Sequence, residues 1–438
     1  MPPMNETKQQ LKRSLSFFAV CCLGINGVIG QGIFLVPSKA AAQMGPAALL
    51  GLLIGGALCF CLALCFAEVG SRVRGTGGAY LYARSAFGDF VGFEVGWLTC
   101  CVAVIAWATL SNGFTKVMTT FFPVFSEPGP QKVLAVGTVT LLTLVNLLGA
   151  EIGARVVKFF TIAKLSSMLI FVVVGIFFID FSLFEPFAPK GLSPLADTTL
   201  MLLYAYVGFE IMVVPAGEMK NPQRTVPLSL FIVIVVSAVL YISIYCVATG
   251  TLPSLAEAEN PVASAAQQFM GPFGTTLISV GIALSVFGTN AGSALVSPRR
   301  FFALAERGDL PPKLANISPK TGAPTYAIIL TWFLAVALTL SGSFEQLLVL
   351  GVVARFGQYI PTALAVLVLR KRADYDPNAG YRIPGGPLVP VVTLGLCGWL
   401  LLQSDPQKLL WGAAALGLGG VLYMLKRKAN WQVSDGAL

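Results

Sequence analysis

The stretch Asn26-Gly-Val-Ile-Gly-Gln-Gly-Ile-Phe34 lies inside the first long apolar run and carries three glycines in six residues. A glycine in a helix interior costs roughly 1 kcal/mol relative to alanine, so a segment that otherwise reads as a membrane-spanning helix is expected to open here. Inside a bilayer, an opened helix leaves amide N–H and C=O groups that only protein, water or a bound ligand can satisfy. The stretch therefore reads as a binding site. Close packing is the competing reading, because small residues such as Gly24, Gly27, Gly30 and Gly32 also let helices approach one another in membrane bundles. These nine residues alone do not choose between the two.

The surrounding chain supplies the setting. Of its 438 residues, 56% are hydrophobic and only 11% charged, with a mean hydropathy of +0.79. Soluble domains carry about a quarter charged residues, so this composition specifies a polytopic membrane protein. All nine cysteines fall within apolar runs, which implies no disulfide framework. The absence of histidine removes the commonest metal ligand and the usual near-neutral acid–base group. No serine–base pair or metal-ligand spacing appears either, so the sequence calls for no enzyme activity, no metal and no cofactor. The first apolar run follows Lys8, Lys12 and Arg13 without a small-residue cleavage pattern, and it reads as a retained span.

At about 20 residues per span, the hydropathy pattern predicts twelve spans starting near residues 14, 46, 88, 131, 156, 195, 228, 273, 324, 344, 387 and 408. Placing the N-terminus in the cytoplasm assigns 22 of the 29 Lys and Arg to that side, with Lys116, Lys132, Lys190 and Lys408 among the few left opposite. That bias predicts both termini cytoplasmic, and a plasma (inner) membrane is the expected location. It also accounts for the net charge of +9 without a nucleic-acid partner. Basic clusters at span ends, such as Arg370-Lys371-Arg372, suit anionic lipid headgroups of the bilayer. Between spans seven and eight, Leu252 to Gly271 suggests a short helix capping a vestibule.

A second interruption falls in span six. There Tyr204-Ala-Tyr-Val-Gly-Phe-Glu210 is followed by Pro215-Ala-Gly217. Spans one and six are five apart, so they cross in opposite directions and qualify as equivalent helices of an inverted repeat. Interrupted spans at matching positions in two halves are the best sequence pointer to a transport site near the bilayer midplane. The amides of Gly30, Gln31 and Gly32, at a helix N-terminus, are expected to favour a carboxylate. Carbonyls around Gly27, Val28 and Val207 are expected to accept from an ammonium. Tyr204 and Phe209 are candidates to cover the substrate, with ordinary packing as the alternative.

Taken together, these residues resemble the amino acid–polyamine–organocation superfamily of permeases over nearly the whole chain. The resemblance rests on Gly27 to Phe34, Gly77 to Tyr80, Tyr206 to Glu210, Glu218 to Pro227 and Arg307 to Pro311. It implies an all-α, leucine-transporter-like bundle of twelve transmembrane helices: a five-plus-five inverted repeat with helices 1 and 6 broken and two additional C-terminal helices. The chain is then one transporter domain over 1–438. Repeat one covers about 14–181, repeat two about 195–370 and the extra helices about 387–426. The implied activity is secondary transport of amino acids, with neutral L-amino acids expected and a cationic amino acid or polyamine as the alternative. An amino-acid receptor on the same fold is a further option. Gln31 departs from the serine usual in the family.

Lys164 lies about eight residues, or roughly 12 Å, into span five. The run Ala163-Lys164-Leu165 looks like the lysine of sodium-independent branches, including the L-type amino acid transporters, where an ammonium stands in for sodium. First-span carbonyls near Gly24 and the hydroxyl of Ser285 are its expected partners; the alternative is a lysine that only ties spans together. Glu210 is the protonatable group that would permit proton coupling, with a structural role as the competing reading. Arg355 is also deep, with no partner evident from sequence. The loop Pro123 to Gln131 holds no cysteine, so no disulfide-linked accessory subunit is expected.

Overall fold

The computed structural model describes residues 11–30, 32–341, 344–402 and 406–429. Among these the chain is helical, with no strand beyond an isolated parallel bridge between Leu15 and Met219. α1 (Phe17–Val28) begins at Ser16, whose hydroxyl accepts from the Ala19 amide at 3.3 Å, and ends where Ile29 turns extended. Past this break follow α2 (Gly32–Met44), α3 (Ala48–Arg72), α4 (Ala79–Phe87), α5 (Asp89–Met118), α6 (Pro128–Leu147) and α7 (Ala150–Gly175). α8 (Leu195–Tyr206) is again short. It gives way through Val207 and Gly208 to a 3₁₀ turn over Phe209–Val213. α9 (Pro222–Thr251) is continuous, whereas α10 (Pro261–Glu306) turns at Gly271 and so carries a separate short helix ahead of its long arm. α11 (Thr325–Ser341), α12 (Phe344–Leu369), α13 (Leu388–Leu402) and α14 (Pro406–Ala429) complete the order.

Six helical stretches among the described residues are long and apolar enough to cross a membrane, the most hydrophobic being Pro222–Thr251. Their outer faces carry no water-compatible cover. On α6 and α7, Leu141, Leu144, Phe159, Ile162, Leu169 and Val173 point outward. Each Å² of such surface costs about 25 cal/mol against water, a penalty that lipid removes. The chain is a multi-pass membrane protein.

The two broken segments lie at the centre. α1 packs against α7, α9 and the 3₁₀ turn; α3 lies across α8 and α9; and α10 fills the space between α5 and α7. Buried ion pairs clamp this arrangement. Arg299 on α10 forks onto Glu218, just after the second break, and both are almost fully buried. Arg370, just past the end of α12, does the same to Glu68 on α3, at 2.6 and 2.7 Å. Asp309 accepts from the Tyr80 hydroxyl at 2.6 Å and from Arg84 at 3.1 Å, and it pairs with Lys426. Three of the sequence motifs thus supply residues to these clamps: Tyr80 from Gly77 to Tyr80 meets Asp309 from Arg307 to Pro311, and Glu218 from Glu218 to Pro227 meets Arg299.

Candidate functional site

Both interruptions foreseen from sequence are present, and they touch. At the second, Gly208 holds φ +120°, a backbone that a residue with a Cβ rarely adopts. A Cβ there would also strike the Gly27 carbonyl, and one on Gly27 would strike the Gly208 carbonyl and Ile211. Gly24 is equally tight, against Met212 and Val233. Gly30 and Gly32 differ, since a Cβ on either would meet nothing within 4 Å. The glycines of the first run therefore divide into two that pack and two that face open space.

At the first break, the carbonyl of Ile29 has lost its helical partner and gathers donors from two other helices. Lys164 on α7, with no exposed surface, donates from Nζ at 2.5 Å. The hydroxyls of Ser285 and Thr289 on α10 reach the same oxygen at 3.2 and 3.4 Å, and Ser285 also reaches the Gly30 carbonyl at 3.1 Å. Lys164 and Ser285 are 3.5 Å apart, the juxtaposition expected from sequence. The carbonyl is not the expected one near Gly24. Gly24 lies mid-helix, where i→i−4 bonding uses its oxygen, whereas the break frees that of Ile29, five residues on.

The Gly30 amide also differs from expectation. It donates to the Val28 carbonyl at 3.1 Å in a tight turn and is not free in this conformation. Gln31 lies outside the described residues, and Gly32 opens α2. The Val28 carbonyl accepts a second bond at 3.1 Å from the hydroxyl of Tyr241 on α9, which also reaches the Ala205 carbonyl at 3.0 Å. One buried hydroxyl thus contacts the ends of both short helices. Sequence reading did not find it, because a tyrosine in an apolar helix carries no signal beyond packing. Asn26 was likewise missed: its amide donates to the Val157 carbonyl at 3.1 Å and to the Thr161 hydroxyl, joining α1 to α7.

Around the second break, Val207 is extended, with φ −74° and ψ 146°. Glu210 turns back on its own loop. Its carboxylate accepts from the Gly208 amide at 3.0 Å, from the Tyr359 hydroxyl at 2.9 Å and from the Gln358 amide at 3.3 Å. Phe209 is fully buried, stacked on Tyr359 with centroids 6.0 Å apart and edge-on to Phe66 at 5.5 Å. Tyr204 belongs to α8, and its side chain lies outside the described residues. Two cavities lie outside the Ile29 and Glu210 clusters, the second of them bordered by Ala216 and Gly217. One of about 600 Å³ sits between α3, α9 and residues 378–381, and one of about 510 Å³ is rimmed by Arg13, Arg74, Lys220 and Arg307.

Paired helix interruptions buried in a lipid-embedded bundle define a membrane carrier built on discontinuous helices. The amino acid permease family model matches residues 15–418, and the chain belongs to that family of transporters. It is similar to the serine/threonine exchanger SteT of Bacillus subtilis (strain 168), with 31% identity over 98% of this chain and 100% of the relative. From the same organism, the methylthioribose transporter is 27% identical over 95% and 94%. The branched-chain amino acid permease BcaP is 26% identical over 98% and 96%.

Proposed function

We propose that this permease is a sodium-independent secondary carrier that moves neutral L-amino acids across the plasma membrane by exchange or proton coupling. The reading takes the bundle as twelve spans with both termini cytoplasmic. It further takes residues of about 14–181 and 195–370 as inverted repeats, with helices over about 387–426 added. The observation that carries it is Lys164, an ammonium held against the orphaned Ile29 carbonyl and Ser285, where a bound cation would otherwise be needed. Open space at Gly30 and Gly32 supports a ligand beside the N-terminus of α2, where the dipole favours a carboxylate. Rearrangement of the Gly30 turn on binding would release its amide. The names of two relatives, a serine/threonine exchanger and a branched-chain permease, favour neutral substrates and, for the first, exchange. A cationic substrate is disfavoured, because the only acid in the two breaks, Glu210, is already held by three donors.

Uptake of a panel of labelled amino acids into proteoliposomes tests this. Rates are expected to match in sodium and choline buffers and to rise with substrate loaded inside, if exchange is the mode. A several-fold stimulation by sodium would overturn the role given to Lys164. Methyl esters and decarboxylated analogues are expected not to compete, and inhibition by amines equal to that by amino acids would favour a polyamine.

A further inference from the structure

Three arginines that reach into the bundle, buried or partly buried, each have a buried acid as partner. Arg299 has Glu218, Arg370 has Glu68 and Arg84 has Asp309. Arg300 breaks the pattern. It sits on α10 with 5% of its surface exposed, and its Nε is buried with no hydrogen-bond partner. It interacts electrostatically with Glu210 beside the second break, with Arg355 and Tyr359 on α12, and with Cys100 on α5. Arg355, half-buried, likewise makes no hydrogen bond or ion pair among the described residues. The one carboxylate nearby, Glu210, attracts Arg300 but makes no hydrogen bond to it, because its oxygens accept from the Gly208 amide, Tyr359 and Gln358.

Two guanidinium groups thus share one carboxylate whose hydrogen bonds go elsewhere, leaving an excess of one positive charge in this part of the bundle. Intramembrane charges are costly and are ordinarily matched by a partner. A guanidinium recognises carboxylates in bidentate fashion and other small anions through its fixed fork of donors. We propose that Arg300 and Arg355 hold a small anion beside the second break, so that ligand binding by this permease depends on an anion. The anion is either a dissolved halide that accompanies a neutral amino acid or a second carboxylate carried by a dicarboxylic one. The choice between these sources rests on the transporter reading above; the anion subsite itself does not.

Thermal unfolding of the purified full-length protein tests the subsite. Chloride is titrated against isethionate at constant sodium and ionic strength, first alone, then with leucine or serine, then with aspartate or glutamate. Chloride is expected to raise the melting temperature saturably, and Arg300→Leu to raise the half-maximal concentration roughly tenfold or more. If the carboxylate comes with the substrate, aspartate or glutamate will stabilise the protein in isethionate alone and chloride will add little. The subsite is refuted if neither chloride nor a dicarboxylic amino acid shifts the wild-type melting curve, or if Arg300→Leu leaves the shift unchanged. The wild-type titration decides even if that variant fails to fold. Should no amino acid stabilise the protein or be taken up, the transporter reading fails, while the chloride response still judges the subsite.

Discussion

At the first break, a lysine and two hydroxyls from α7 and α10 converge on a carbonyl without a helical partner. At the second, Glu210 reaches back to the Gly208 amide and is steadied by α12. The difference follows from what each interruption leaves unsatisfied. A helix that stops orphans its last carbonyls, and only donors from elsewhere can meet those of α1. The turn after Gly208 exposes an amide, which an acid two residues away can meet locally. One break therefore depends on its neighbours for its shape, and the other largely carries its own support.

Removing the local support should do the most damage. Glu210→Ala leaves three buried donors unmatched, at about 1–3 kcal/mol each. The protein is expected to melt far lower in detergent, with substrate or without. A wild-type melting curve would mean that the second break does not support itself. Lys164→Met is expected to leave folding intact, because an isolated buried charge is itself unfavourable. It gives up a charged hydrogen bond of about 1.5–3 kcal/mol, so uptake should fall roughly ten- to a hundredfold. Normal uptake would reduce the lysine to a tie between helices.

The glycines sharpen the contrast within the first break. Gly27→Ala drives a methyl into the Gly208 carbonyl and should cost about 1–3 kcal/mol of stability. Gly30→Ala meets nothing, so its melting curve should stay within about 0.5 kcal/mol of wild type. It should nevertheless lose the stabilisation of about 2.7 kcal/mol that a ligand gives at 100 times its dissociation constant. Equal losses of stability in both variants would place Gly30 at a helix crossing. The smallest effect is expected for Tyr241→Phe, about 0.5–1.5 kcal/mol. Its mark would be faster amide hydrogen exchange at the ends of both α1 and α8, and a change at one end alone would show that the hydroxyl serves only that break.

Much of this was legible in the sequence because it is local or rare. Glycine runs in apolar segments announce interruptions, and a lysine or an acid at bilayer depth stands out against its surroundings. The pairing of Lys164 with Ser285, 121 positions apart, was reached through the family resemblance. What stayed hidden depends on three-dimensional meeting points with no chemical signature of their own. Tyr241 touches Val28 from 213 positions away, and Gln358 and Tyr359 look like ordinary polar and aromatic residues until Glu210 is set between them. The turn that occupies the Gly30 amide depends on dihedral angles that composition does not encode.

The bridge between Leu15 and Met219 has a mechanical consequence. The Leu15 amide donates to the Glu218 carbonyl at 2.9 Å, and the Lys220 amide donates back to the Leu15 carbonyl at 3.2 Å. These two rungs join the segment entering α1 to the segment leaving the second break. Arg299 grips the Glu218 side chain between them and adds α10 to the same body. Those ends form a yoke. Any hinge that swings one broken helix at this end must carry its counterpart and α10 along, or break two backbone bonds and a buried ion pair at once.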